Sequence, residues 1–84
     1  MNYPHNVWDQ LKAITADELM RALRKDGWVQ EVGIGAELPF RNDDGRIAII
    51  HYHPTKTYGP KTLKGLLEDI GWSVDDLKRL KLVK

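Results

Sequence analysis

The sequence predicts a single α+β domain, a two-layer sandwich in which helices cover one face of a three-stranded antiparallel sheet. Three segments rich in β-forming residues, at 28–32, 36–41 and 46–52, are separated by glycine-containing turns. Apolar residues at the i, i+3, i+4, i+7 spacing of an amphipathic helix follow them: Leu63, Leu66, Leu67 and Ile70. Another helix precedes the strands, so one sheet face is left for helices to cover.

The helix boundaries are marked by capping residues. Thr15 and Glu18 form a capping box that starts a helix over about 16–26, and Gly27 stops it. Pro60 suits the first turn of the next helix, and Gly71 ends it. Ser73 caps a further helix near the C-terminus. Gly65 lies inside a helix at a cost of about 1 kcal/mol relative to alanine, which indicates close backbone packing there.

One residue conflicts with the middle strand. Pro39 lies within 36–41, and proline has no N–H to donate to a central ladder. A bulge or an early end to the strand pairing would resolve the conflict. Trp28 and Trp72 each follow a helix-ending glycine and are predicted core residues.

Length and composition favour one small soluble domain over residues 1–84. We divide it into an N-terminal arm or short helix (1–14, loose at 1–6), a core (15–71) and a C-terminal helix (72–84). Cysteine is absent, which excludes disulfides and thiolate metal sites, and no segment resembles a membrane span or a signal peptide. The expected location is the cytoplasm.

The charge is distributed unevenly. Residues 1–45 carry five basic and eight acidic side chains, a net −3, whereas residues 46–84 carry eight basic and four acidic ones, a net +4. A polyanion would bind the second half, although an ordinary solvated surface also explains an imbalance of this size.

Cationic and aromatic side chains cluster where the third strand ends and the next helix begins. Lys56, Lys61 and Lys64 surround this helix start, whose free N–H groups favour phosphate. Tyr58 is placed to stack on an unpaired base. The alternative is that Tyr58 packs on the sheet and the lysines only solubilise the helix.

The histidines provide candidates for proton transfer. His51 and His53 lie two residues apart and point to the same side of a strand, but no third metal ligand is evident, so we predict neither a metal site nor a small-molecule cofactor. We interpret His53, at the strand end, as the functional one, His51 as a strand residue, and His5 as uninvolved.

Several pieces of the sequence together resemble the HicA toxin family of bacterial toxin–antitoxin modules. They are Leu19–Leu23 with Asp26-Gly27-Trp28, Phe40-Arg41 with Asp44-Gly45-Arg46, and Ile49-Ile50-His51-Tyr52-His53-Pro54 with Lys61-Thr62-Leu63-Lys64. The resemblance covers about residues 15–71. It implies a fold like the double-stranded RNA-binding domain, messenger RNA cleavage, and neutralisation by a HicB-type antitoxin.

The sequence departs from this family at one position. Family members commonly carry Gly-Ser-His or Gly-Thr-His at the start of the second strand, with the histidine catalytic. Here the matching residues are Gly35-Ala36-Glu37, so Glu37 replaces that histidine. Either other residues perform the chemistry, or the chain is inactive, or an active form was changed.

RNA cleavage without a metal needs a base, an acid and cations around the phosphorane. A Glu37–His53 pair across adjacent strands is our hypothesis for proton transfer, with Lys56, Lys61 and Lys64 contacting phosphate. The alternative is that Glu37 is only a solvated strand residue. The predicted partners are mRNA and the antitoxin. Two other functions stay open: a non-catalytic module that binds RNA or an antitoxin, and a plain interaction domain.

Overall fold

The structure, a computed structural model, describes residues 3–52 and 57–84. Its elements are α1 (His5–Leu11), α2 (Ala16–Lys25), β1 (Val29–Gln30), β2 (Glu37–Arg41), β3 (Ile47–His51), α3 (Pro60–Ile70) and α4 (Val74–Arg79). The antiparallel sheet has the order β1-β2-β3, and α2 and α3 pack against it. This α+β arrangement confirms the predicted α-β-β-β-α order of the double-stranded RNA-binding-domain-like fold. Within the described ranges, no helix is long and apolar enough to cross a bilayer.

The predicted caps define the helix ends. Thr15 Oγ1 accepts from the N–H of Glu18 at 3.3 Å, and the Glu18 carboxylate accepts from the N–H of Thr15 at 3.1 Å. Ser73 forms the same reciprocal box at the start of α4. The left-handed Gly71, with φ of 78°, ends α3. These local patterns satisfy backbone groups that the helix itself leaves unpaired.

From residue 3 onward the N-terminal segment is packed, whereas a loose segment was expected at 1–6. Tyr3 is buried, and its hydroxyl donates to the carbonyl of Trp72 at 2.6 Å. Burial, with a smaller contribution from the Asp76 charge, raises the pKa of Tyr3 to about 12, so the phenol remains a donor. At the other end of the described chain, the backbone N–H of Lys84 donates to Oε1 of Gln10 in α1 at 2.7 Å.

The two sheet faces have different environments. Phe40, Ala48 and Ile50 are buried on the inner face, beneath the helices. Ile47 and Ile49 alternate with them and lie on the outer face, where they are 43% and 44% exposed. This period of two is that of a half-buried strand, and it places residues 37, 39, 41, 47, 49 and 51 together on the outer face.

Pro39 is accommodated by an early end to one strand pairing. Its carbonyl accepts from the N–H of Glu31 at 2.8 Å. Because the N–H and C=O of one strand residue point towards the same neighbour, the missing N–H of Pro39 faces β1. The pairing of β1 extends only over Val29–Gln30, whereas β2 pairs with β3 without interruption through Pro39 and Ile49. The predicted early end to the strand pairing is therefore confirmed, but only between β1 and β2.

Gly33 is required by a close backbone approach. A Cβ atom at this position would lie 1.8 Å from the Glu37 carbonyl oxygen and 2.8 Å from Pro39 Cδ. Because the nearest atom is backbone, the turn between β1 and β2 would have to move. We expect Gly33→Ala to lower the free energy of unfolding by about 2 kcal/mol, measured by urea denaturation in dilute protein. As a control, Gly65→Ala, where the added Cβ has open space, should raise it by about 1 kcal/mol. Equal free energies of unfolding for Gly33→Ala and wild type would contradict the predicted steric clash.

Asp26 links three side chains through its carboxylate. Oδ2 accepts from the indole N–H of Trp72 at 2.8 Å and of Trp28 at 3.1 Å, and Oδ1 accepts from Arg79 at 2.6 Å. Both tryptophans are buried, as predicted. Burial alone would raise the pKa of Asp26, but hydrogen bonds from Trp72, Arg79 and Trp28 outweigh it and hold the pKa below its usual value.

Arg46 joins the start of β3 to the end of α3. Its guanidinium lies 5.2 Å from the centre of the Trp28 ring, bonds the Asp44 carboxylate at 2.7 Å, and donates to the carbonyl of Ile70. A cation at a helix C-terminus complements the macrodipole. The start of β3 and the end of α3 are thereby held together.

Candidate functional site

Glu37 and His51 form a pair on the outer face of the sheet. The strand register places them directly opposite each other on β2 and β3. The Glu37 Oε2 atom lies 4.0 Å from His51 Nδ1, and each side chain is 53% exposed. A carboxylate and an imidazole at this separation can exchange protons with a bound substrate after small side-chain rotations.

The predicted partner of Glu37 was a different histidine. His53 and Lys56 lie outside the described residues, so the predicted Glu37–His53 pair stays a prediction. Sequence reasoning treated His51 as a strand residue, because the register that pairs it with Glu37 is known only from the structure. The N–H of Asn42 donates to the carbonyl of Arg46 across the turn, and counting outward from this pair brings Glu37 opposite His51.

A groove of about 460 Å³ runs between the free edge of β3 and α3. We call it the β3–α3 groove; the residues that matter here are Ile47, Ile49, His51, Lys61, Gly65 and Asp69. The groove therefore combines the imidazole of His51 with the exposed ammonium group of Lys61. An anion bound along it would meet both groups.

Tyr58 lies at the end of this groove. Its hydroxyl donates to the backbone carbonyl of His51 at 3.3 Å, and burial raises its pKa. The half-buried ring packs against the core. Tyr58 also lines a second groove, so its exposed part separates the two. Base stacking by this ring stays a prediction.

The second groove, of about 410 Å³, lies between α1 and the start of α3. Trp8, Lys12 and Lys64 contribute to its walls. Lys61 and Lys64, which were predicted to share one phosphate surface, therefore line different grooves on either side of Tyr58. His5 also lines this groove, with Nε2 at 3.3 Å from the Asp9 carboxylate.

Comparison with known proteins identifies the family. A family model described as "HicA toxin of bacterial toxin-antitoxin" matches residues 16–72, from the start of α2 to the tryptophan beyond α3. The chain belongs to the HicA toxin family. Members of this family are the toxins of toxin–antitoxin systems and pair with antitoxins. No curated protein matches the chain.

The residues that carried the resemblance divide into structural and site residues. In this HicA family member, Asp26 and Trp28 belong to the buried hydrogen-bonded cluster, and Arg46 anchors the end of α3. His51 and Lys61 instead face the β3–α3 groove. Part of the quoted pattern therefore supports the fold, and another part lines the β3–α3 groove.

The described residues of this HicA family member contain no group of three or more potential metal ligands among His, Cys, Asp and Glu. His51 and Glu37 supply two. Zinc sites in proteins ordinarily use three or four protein ligands, so these two residues alone do not make a zinc site.

Gly65 was expected to mark close backbone packing, and this expectation is wrong. A Cβ atom there would have no atom of another described element within 4 Å. The residue faces the β3–α3 groove of this HicA family member. It therefore costs helix stability and contributes no packing in the described chain.

Proposed function

We propose that this HicA toxin cleaves messenger RNA without a metal ion and that the β3–α3 groove is its active surface. One observation carries the proposal: the Glu37 carboxylate lies 4.0 Å from His51 Nδ1 at the end of a groove that also contains Lys61. A carboxylate, an imidazole and a cation can supply the base, the acid and the charge stabilisation that ribose-assisted phosphodiester cleavage needs.

In the proposed reaction, Glu37 accepts the proton of the ribose 2′-hydroxyl while the ribose 2′-oxygen attacks the adjacent phosphorus. The bond between phosphorus and the 5′-oxygen of the next nucleotide breaks. An imidazolium returns a proton to that oxygen, so the products are a 2′,3′-cyclic phosphate and a 5′-hydroxyl. His51 is the imidazole beside Glu37, and His53 is the imidazole predicted from the sequence.

Binding of the phosphates would depend on the surrounding cations. Lys61 lies in the same groove as His51, so its ammonium group neutralises charge that builds up on the phosphorane. Lys56 and Lys64 extend the proposed contacts to neighbouring phosphates, and Tyr58 stacks on a base between the two grooves. RNA would thus cross the start of α3, where backbone N–H groups also favour anions.

The test is incubation of the purified chain with a long RNA, with and without EDTA. We expect the same cleavage rate in both, and fragments ending in a 2′,3′-cyclic phosphate. Replacement of Lys61 by alanine should weaken binding and flatten the dependence of log K on log salt by about 0.7. Cleavage that disappears with EDTA, or fragments with 3′-hydroxyl ends, would contradict the mechanism.

A second function is favoured by the glutamate at the position of the family's histidine. A carboxylate is a poor acid at neutral pH, so a chain with Glu37 would bind RNA or the antitoxin without cleaving RNA. Salt-dependent RNA binding with no cleavage, under conditions where the protein is folded, would select this function over the first.

A further inference from the structure

The outer edge of β3 has unused backbone groups. The N–H of Tyr52 donates to the carbonyl of Ala36, and the N–H of Asn42 donates to the carbonyl of Arg46. Because hydrogen-bonded pairs alternate along an antiparallel ladder, the N–H and C=O groups of Ile47, Ile49 and His51 point away from β2. Across residues 3–52 and 57–84, no strand pairs with this edge, and only the His51 carbonyl is bound, by Tyr58.

This edge is long enough and apolar enough to pair with another strand. The strand has five residues, and the side chains of Ile47 and Ile49 are each more than 40% exposed beside the free groups. The opposite edge, at β1, has only two residues. Short edge strands resist association, whereas a longer exposed apolar edge is a template for it. The sheet is therefore open to extension on one side.

Helix α3 runs antiparallel to β3 along this edge. Tyr58 bonds His51 at one end, and Arg46 bonds Ile70 at the other. Lys61 consequently lies near the His51 end, Asp69 near the Ile47 end, and Gly65 in the middle, at the level of Ile49. All of these residues line the β3–α3 groove.

We propose that this surface joins two copies of the chain. The β3 strands would pair antiparallel about Ile49, so that one sheet continues through both copies, and the α3 helices would approach each other at Gly65. The interface is isologous, since the same patch meets itself across a twofold axis.

The pattern of residues is complementary to itself under this operation. Reversing β3 about Ile49 brings Ile47 opposite His51 of the partner subunit. Reversing α3 about Gly65 brings Lys61 towards Asp69 of the partner subunit, an opposite charge. Among the described residues, neither Lys61 nor Asp69 has an ion-pair partner within the chain. The glycine at the centre removes the side chain that would otherwise separate the two helices.

This inference goes beyond the proposed function and does not depend on it. A second copy in the groove would cover His51 and Lys61, so RNA and the second copy would compete for one surface. The oligomeric state is measured without RNA, so its outcome and that of the cleavage experiment are independent.

Analytical ultracentrifugation of the purified chain between about 1 µM and 1 mM tests the proposal. We expect a reversible monomer–dimer equilibrium. Gly65→Ala should weaken the dimer by about tenfold while stabilising the monomer, so the two effects have opposite signs. A monomer throughout this range would overturn the proposal. The outer edge of β3 would then be available to pair with a strand of the antitoxin. A dimer that Gly65→Ala leaves unchanged would also overturn it.

A charge exchange tests the helix contact specifically. Lys61→Asp should weaken the dimer, because it places a second carboxylate against Asp69 of the partner subunit. The double variant Lys61→Asp with Asp69→Lys should restore the dimer, since the opposite charges face each other again. The dependence of the dimer dissociation constant on salt concentration should fall in the single variant and return in the double variant. Failure of the second change to restore association would contradict the antiparallel arrangement of α3.

Proline at position 49 tests the strand contact. The Ile49 N–H points away from β2, so Ile49→Pro removes only an edge donor and leaves the β2–β3 ladder intact. We expect a folded monomer by circular dichroism and sedimentation. Val29→Thr, at the opposite edge, is the control and should leave the dimer unchanged. A folded Ile49→Pro variant that still dimerises would overturn strand pairing; if that variant fails to fold, the charge exchange decides.

Discussion

Replacement of Glu37 by glutamine is expected to lower the rate of RNA cleavage by about 10²–10⁴-fold, because the amide cannot accept the proton of the 2′-hydroxyl. Glutamine keeps the size of the side chain and its place opposite His51. The measurement is the initial cleavage rate at saturating RNA. The affinity for RNA should change little, since the loss is in proton transfer rather than in phosphate binding.

The acid in this reaction is identified by parallel histidine variants. If His51 is the acid, His51→Gln should cause a loss of similar size, and adding Glu37→Gln to it should cost little more, because the two act in one step. The cleavage rate of the separate variant His53→Ala then shows which of the two imidazoles is the acid. Glu31→Gln is the matched control: Glu31 is an exposed glutamate bound to Arg41 at 3.0 Å, and its replacement should leave cleavage unchanged. A Glu37→Gln variant as active as wild type would remove Glu37 from the mechanism.

Replacement of Asp26 by alanine is expected to lower the free energy of unfolding by about 3 kcal/mol. The carboxylate, only 17% exposed, accepts from two indole N–H groups and pairs with Arg79. Alanine would leave those indole donors unsatisfied inside the protein. The measurement is urea denaturation followed by circular dichroism in dilute protein. Asp43→Ala, an exposed aspartate in the β2–β3 turn, is the control and should change stability by less than about 0.5 kcal/mol.

The same carboxylate makes stability depend on pH. Its hydrogen bonds lower the pKa of Asp26 in the folded state, so at acidic pH the unfolded chain binds more protons. The stabilisation is present above the unfolded pKa of about 3.9 and is lost as the pH falls through the lower folded value. The asparagine variant Asp26→Asn should lack this acid-dependent loss. Wild type and Asp26→Asn with parallel stability curves below about pH 4 would contradict the role of Asp26.

The parts of the fold that depend on local patterns could be predicted from the sequence. The apolar spacing in α3, the capping residues of α2 and α4, and the turn glycines each act within a few residues. The true extent of β1 could not be predicted, because it depends on which neighbour the missing N–H of Pro39 faces. The packing of Tyr3 on Trp72 is also a contact between distant parts of the chain, which no local pattern reports.

The candidate site could be predicted only in outline. The sequence indicated Glu37, the cluster after β3 and the cations of α3, but the pairing of Glu37 with His51 follows from the strand register. The separation of Lys61 from Lys64 depends on where α1 packs, since α1 forms the second groove. Gly65 was misinterpreted because glycine is compatible with an open groove as well as with a tight contact, and only the coordinates distinguish the two.

The bond between Asp26 and Arg79 has a consequence for the limits of the domain. The similarity to the family ends at residue 72, yet Arg79 of α4 completes the set of donors around Asp26. Leu11 of α1 and Leu77 of α4 also contribute to the single core, although both lie outside the matched segment. The segment that matches the family is therefore shorter than the segment that shares one hydrophobic core, and excision at residues 16 and 72 would cut through that core.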